Sequence, residues 1–239
     1  MRGPLILHIE TATRICSVGL SEGEDLLILK ESKEERSHAI LLTRFIRECF
    51  LETNRELSSL SAINVSKGPG SYTGLRIGVS TTKGLAYAHN IPVIATGTLN
   101  ILAKASLDNH EIREEIARKP SEVLLCPMLD ARRMEVFTGF FNSDGTLFRA
   151  VSADIIEENS YEDLLRTHQI YFFGDGAGKC KETIIHPNAH FIDHINPSAK
   201  YMIGLALEAY KMKLFENVAY FEPFYLKEFI ATIPRKKVL

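Results

Sequence analysis

Glu10 closes a short apolar run, Leu5-Ile6-Leu7-His8-Ile9, and is followed at once by Thr11, Ala12 and Thr13. A carboxylate at a strand end beside small hydroxyls can hold a phosphate through a magnesium ion. Asp130 repeats the arrangement after Val123 to Leu129. Each acid is followed further along by a glycine-rich corner: Lys67-Gly68-Pro69-Gly70-Ser71-Tyr72-Thr73-Gly74-Leu75-Arg76-Ile77-Gly78 for the first, Gly174-Asp175-Gly176-Ala177-Gly178 for the second. Such a strand-to-helix corner aims backbone N–H groups at a helix N-terminus, where an anion can sit. The first corner is not a Walker P-loop, because no Gly-Lys-Ser/Thr follows, and a dinucleotide fingerprint fails at Thr73, where the third glycine belongs. Two readings stand for it: an anion cradle, or glycines that let a helix pack close to its neighbours. Glu10 and Thr11 likewise either build a site or satisfy a turn.

Other chemistry is sparse. His186, His190 and His194 recur every four residues, but Pro187-Asn188 turns the chain and Phe191-Ile192-Asp193 reads as a strand. Imidazoles so placed lie roughly 13 Å apart, at about 3.3 Å per residue, too far to share an ion. No Ser-His-Asp ordering, H-E-x-x-H or C-x-x-C stands out. Cys16, Cys49, Cys126 and Cys180 each sit in an apolar run and read as buried thiols of a reducing compartment. With 45% hydrophobic and 24% charged residues and a formal net charge of −2, the 239-residue chain is neither disordered nor a coat for nucleic acid or membrane. Pro4 to Leu7 is too short for a leader, and no run spans a membrane. A cytoplasmic protein without a cofactor or metal is expected.

The elements that must position these residues alternate regularly. Leu5 to Ile9, Ile15 to Leu20 and Leu26 to Leu29 read as three antiparallel strands, and Ser37 to Asn54 as a helix capped by Ser37. Ala62 to Ser66 is a strand, Gly74 to Asn90 a helix, Ile91 to Ile94 a strand, and a helix follows through Ala105. The charged stretch Asp108 to Pro120 suggests a division into residues 1–106 and 107–239. Strand, acid, turn, strand, turn and strand then recur, with Asp130 in the place of Glu10. The second copy is shorter, with room for one short helix, Ser160 to His168, before Ile170 to Phe173, and a last helix from Ala199 to about Leu214. A duplicated β-β-β-α-β-α-β-α unit predicts an α/β fold of actin/hexokinase/Hsp70-like architecture with its second copy shortened. A small ATPase or kinase using Glu10, Thr11, Asp130 and Gly174 to Gly176 is one function such a fold offers.

Two helices are compositionally unusual. Leu41, Leu42, Phe45, Ile46, Cys49 and Phe50 fill an arc of roughly 180°, wider than the roughly 100° that one core needs. Either a second partner surface or a helix sunk between the sheet and a neighbouring helix explains it. In the next helix Gly74, Gly78 and Thr81 fall on one side and make a shallow groove, although each glycine costs up to about 1 kcal/mol of helix propensity.

The corner Gly68 to Gly78, taken with Ile9-Glu10-Thr11-Ala12-Thr13, Asp130-Ala131-Arg132-Arg133-Met134-Glu135-Val136 and Gly174-Asp175-Gly176-Ala177, closely resembles the TsaB family over nearly the whole chain. One departure is Glu10, where that pattern carries Asp; the longer carboxylate displaces any metal or phosphate contact by about one methylene. The resemblance implies an actin-like, non-catalytic subunit of bacterial tRNA threonylcarbamoyladenosine biosynthesis. Its implied partners are a TsaD-type transferase and, at the complex, a TsaE-type ATPase, with tRNA met only through the complex. Apart from the resemblance, the same apolar helices could pair with themselves, which leaves a homodimeric binding protein as an alternative. The sister transferase holds a metal through two histidines at i and i+4 of its first helix; the matching positions here are His38 and Leu42, and leucine cannot ligate. The implied partner interface comprises Leu42, Phe45, Ile46, Cys49, Gly74, Ile77, Gly78 and Thr81. The basic segment Pro234-Arg235-Lys236-Lys237 is either a solvated tail or a phosphate contact.

Overall fold

The computed structural model describes residues 3–33 and 38–227. Strands β1 (Leu5–Glu10), β2 (Cys16–Glu22) and β3 (Asp25–Ser32) form an antiparallel meander. Gly23, at φ +61°, turns the chain between the last two. Helix α1 (His38–Thr53) leads to β4 (Ala62–Gly68), α2 (Tyr72–His89) to β5 (Val93–Gly97), and β4 and β5 add in parallel to β1, giving the order β3-β2-β1-β4-β5. After α3 (Thr98–Ser106) and α4 (His110–Arg118) the pattern repeats with β6 (Val123–Asp130), β7 (Glu135–Asn142), β8 (Leu147–Ile155), β9 (Gln169–Phe173) and β10 (Ala189–Ile192), in the order β10-β9-β6-β7-β8. Read from the meander, each sheet runs third, second, first, fourth, fifth strand. This is the doubled actin/hexokinase/Hsp70-like α/β fold, with the second copy shortened: α5 (Glu162–Leu165) is a single turn.

β1 is buried along its whole length because both faces of its sheet are covered, as parallel-type strands require. Leu7 and Ile9 face α1 and α2, whereas Ile6 packs against Ile203, Ala206 and Leu207 of the last helix, α6 (Ile203–Lys211). The halves exchange helices. α6 covers the first sheet, while Leu99 and Leu102 of α3 pack with Leu125, Phe141 and Phe173 of the second.

Two local expectations change. The charged stretch after Asp108 holds a helix, α4, capped by the Asn109 side chain accepting from the Ile112 amide at 3.1 Å, with Ile112 buried. The helix foreseen from Ala199 to Leu214 is a 3-10 turn, Ala199–Met202, followed by α6, which ends before Lys213 at φ +57°. β8, the third strand of the repeated unit, runs from Leu147 to Ile155, longer than its counterpart β3 by one residue. Beyond α6 the chain returns across the first half as a strap. Glu216 N donates to Val93 O at 2.8 Å, Lys83 Nζ to the carbonyls of Ala219 and Phe221 at 3.2 and 2.9 Å, and Phe224 N to Lys67 O at 2.7 Å. Ser37, expected to cap α1, and the basic segment Pro234 to Lys237 lie outside the described residues.

Candidate functional site

The two acid turns and the two glycine corners do come together, each acid with its own corner. Glu10 Oε1 accepts from the Ala12 amide at 2.6 Å, which folds Thr11 and Ala12 back over the N-terminus of α2. There Ser71 N donates to Ala12 O at 2.6 Å, Ser71 Oγ caps the helix by accepting from Gly74 N at 3.2 Å, and Thr11 Oγ1 donates to Gly74 O at 2.8 Å. A Cβ on Gly70 would collide with Ala12 O, one on Gly74 with Thr11 O, and one on Gly78 with Thr11 Oγ1. The glycines thus admit the chain's own turn, and the Ser71 amide is spent on it. Glu10 is fully buried, and burial pushes its carboxyl up to about 7. Its Oε2 has no hydrogen-bond partner among the described residues.

The second turn closes by charge. Lys179 Nζ pairs with Asp130 Oδ1 and donates to Glu135 O at 2.7 Å. Asp130 N donates to Asp175 Oδ1 at 3.0 Å, and Gly176 N to Met128 O at 3.0 Å. Gly174, at φ +100°, lies where a Cβ would strike Met128 O, so this corner also seats on its own strand. A lysine ammonium therefore stands where a divalent cation would meet Asp130.

The histidines disperse into separate roles. His38 Nε2 lies 3.3 Å from Ile15 O, while Leu42, four residues on, is fully buried in the core, so this pair does not fit a metal. His190 bonds Gln169 at 2.6 Å and stacks on Tyr171, His186 accepts from the Asn188 amide, and His194 sits in a turn at φ +67°. Among the described residues, no three His, Cys, Asp or Glu side chains gather where they could hold a metal ion. One polar cluster escaped the sequence reading. Across the interior of the first sheet, Thr96 Oγ1 donates to Asn64 Oδ1 at 2.8 Å, Asn64 Nδ2 lies 3.3 Å from His8 Nδ1, and His8 Nε2 lies 2.8 Å from Ser21 Oγ. With the Asn64 amide donating, His8 is neutral and protonated at Nε2; burial pushes its pKa down to about 3. The legible signal was three polar residues, His8, Asn64 and Thr96, each interrupting an apolar strand.

Most of the residues expected at the partner interface lie inside the chain. Leu42, Phe45, Ile46 and Cys49 are buried in the chain's own core with Val18, Val65 and Val79. The wide arc packs against the sheet on one side and α2 on the other. Gly74 and Gly78 are buried against Thr11. Ile77 and Thr81 are half-buried, with Ile77 packed against the same core. What α1 and α2 offer outward is Ile40, 75% exposed, Leu51, 62%, and Tyr87, 86%. Gly84 is also exposed there, with open space where its Cβ would be.

The chain matches the family model described as TsaD, tRNA N6-adenosine threonylcarbamoyltransferase, over residues 32–234. It is 25% identical over 230 residues to the tRNA threonylcarbamoyladenosine biosynthesis protein TsaB of Haemophilus influenzae, covering 95% of each chain. To the protein of the same name from Bacillus subtilis it is 29% identical over 149 residues, covering 62% of this chain and 60% of that one. Among solved structures, an uncharacterized Pseudomonas aeruginosa protein described as similar to peptidase YeaZ superposes with a TM-score of 0.80 at 26% identity, over 94% of this chain and 100% of that chain. YeaZ from the same organism gives 0.77 at 26% identity, over 93% and 100%.

Proposed function

The chain belongs to the TsaD family, tRNA N6-adenosine threonylcarbamoyltransferase, and we propose that within it this member is a non-catalytic subunit of tRNA threonylcarbamoyladenosine biosynthesis that pairs with a TsaD-type transferase. The observation that carries the reading is internal closure. Most groups that a phosphoryl or metal site would recruit already serve the chain itself: Thr11 bonds α2, Glu10 Oε1 holds the Ala12 amide, Asp130 pairs with Lys179, and the glycine corners pack on the turn after β1 and on β6. Nor is there a thiol nucleophile among the cysteines. All four are buried, and burial raises the pKa of each.

The partner face is the outer side of α1 and α2. Ile40 and Leu51 on the first helix, with Ile77, Thr81, Gly84 and Tyr87 on the second, supply apolar and small residues at helical spacing. Exposed apolar residues grouped on one face mark a surface built for association. A TsaE-type ATPase joins the assembled pair in this account, tRNA is met through the complex, and the setting is cytoplasmic. Co-purification tests it. A tagged chain should retain the TsaD-type subunit, and Ile40→Glu with Leu51→Glu should release it without lowering the melting temperature. Retention by the double variant would move the interface elsewhere, whereas failure of the parent chain to retain the subunit would end the reading.

A further inference from the structure

The turn between β6 and β7 contains two consecutive residues, Arg132 and Arg133, at φ +72° and +47°. Glycine and asparagine adopt this left-handed region readily, and a long side chain there is held at a cost. The backbone is pinned: Arg132 N donates to Asp130 Oδ1 at 3.0 Å, Glu135 N to Arg132 O at 3.1 Å, and Ala131 N to Glu135 O at 3.1 Å. Both side chains are exposed, and among the described residues neither guanidinium enters a hydrogen bond or ion pair. The turn's hydrogen bonds hold the backbone, but the two exposed guanidinium groups are left for an external contact.

The charges around the turn define that contact. The carboxylates beneath it are neutralised from within, Asp130 by Lys179 and Glu135 by Lys227 of the strap. Arg14, from the turn after β1, places its charge near Asp175 of the adjoining corner. Among the described residues Arg132 and Arg133 thus have no counter-charge, on a chain whose formal net charge is −2. Guanidinium forks suit phosphate oxygens bidentately. Resting on the tRNA reading above, we propose that the Arg132-Arg133 turn is a docking contact for the phosphate backbone of RNA.

The test uses the full chain assembled with the TsaD-type subunit and an unmodified tRNA transcript, with binding followed by fluorescence anisotropy between about 50 and 200 mM salt. The double variant Arg132→Asn with Arg133→Asn keeps residues that accept positive φ. It should bind about tenfold more weakly at the lower salt, with a shallower salt dependence, by about one to two in log–log slope. Arg132→Lys with Arg133→Lys should retain most of the affinity. An asparagine variant that matches the parent in affinity and slope, or a parent that does not bind the transcript at the lower salt, overturns the proposal. So does preferential binding of polyglutamate over tRNA, which would make the turn a site for acidic peptide. Retention of the TsaD-type subunit by the asparagine variant separates the two ideas, because failure of the pairing reading shows in that arm and failure of the docking contact in tRNA binding.

Discussion

The side chain of Thr11 occupies the space that a Cβ on Gly78 would take: Thr11 Oγ1 lies against Gly78 while it donates to the Gly74 carbonyl at 2.8 Å. The small residues of α2 are thereby divided between two faces. Gly74 and Gly78 admit the turn after β1, and Gly84 looks outward.

Gly78→Leu should destabilise the isolated chain by about 1–3 kcal/mol, because the buried turn has no room to yield. Urea midpoints check this, and Gly78→Ala should cost less in a Thr11→Ala background than alone, since the two residues touch. A Gly78→Leu chain as stable as its parent would show that Thr11 does not fill this face.

Gly84→Ala has the opposite sign. A Cβ there meets nothing within 4 Å, and alanine gains helix propensity over glycine, so thermal stability should rise by an amount equivalent to about 0.5–1 kcal/mol. A loss of stability would place Gly84 against something within the monomer.

Two buried groups set opposing pH dependences. His8, pushed down from 6.5 to about 3, favours the folded state above pH 6.5, and that contribution is lost as pH falls toward 3. Glu10, pushed up from 4.5 to about 7, contributes below pH 4.5 and loses that contribution as pH rises through 7. Between pH 4.5 and 6.5 the slopes offset each other. Glu10→Gln should remove the falling limb, so that urea midpoints of the variant climb through this interval and exceed the parent at pH 8 by an amount equivalent to roughly 1–3 kcal/mol. Parallel curves for parent and variant would contradict the assignment.

Calorimetric titration with ATP and magnesium should show no micromolar binding, because Lys179 already neutralises Asp130 and Glu10 is sealed beneath Thr11. Saturable micromolar binding abolished by Asp130→Asn would instead favour an ATPase.

The order of elements was legible because strand runs, helical arcs and glycine corners recur in the same sequence twice. The α4 helix was hidden by its charges, with only Ile112 and Ile116 marking the buried side. The inward use of the α1 arc was not legible, since that width suits an external partner and a neighbouring helix equally. The exchange of α3 and α6 between halves depends on packing across the whole molecule, which no local pattern encodes. The acids and glycines of the candidate site stood out in the sequence, and the structure sets each acid beside its own corner. Their closure was hidden, because Lys179 lies 49 positions from Asp130 in the chain and nothing in its neighbourhood marks it as a partner.

The most direct test of the central claim is formation of threonylcarbamoyladenosine on unmodified tRNA in a reconstituted reaction, with the TsaD-type transferase and threonylcarbamoyl-adenylate, in the presence and absence of this chain. Modification should require both proteins, should be absent with this chain alone, and should be lost with the Ile40→Glu, Leu51→Glu variant while Asp130→Asn leaves it intact. Equal modification by the transferase without this chain, or modification by this chain alone, would contradict the account.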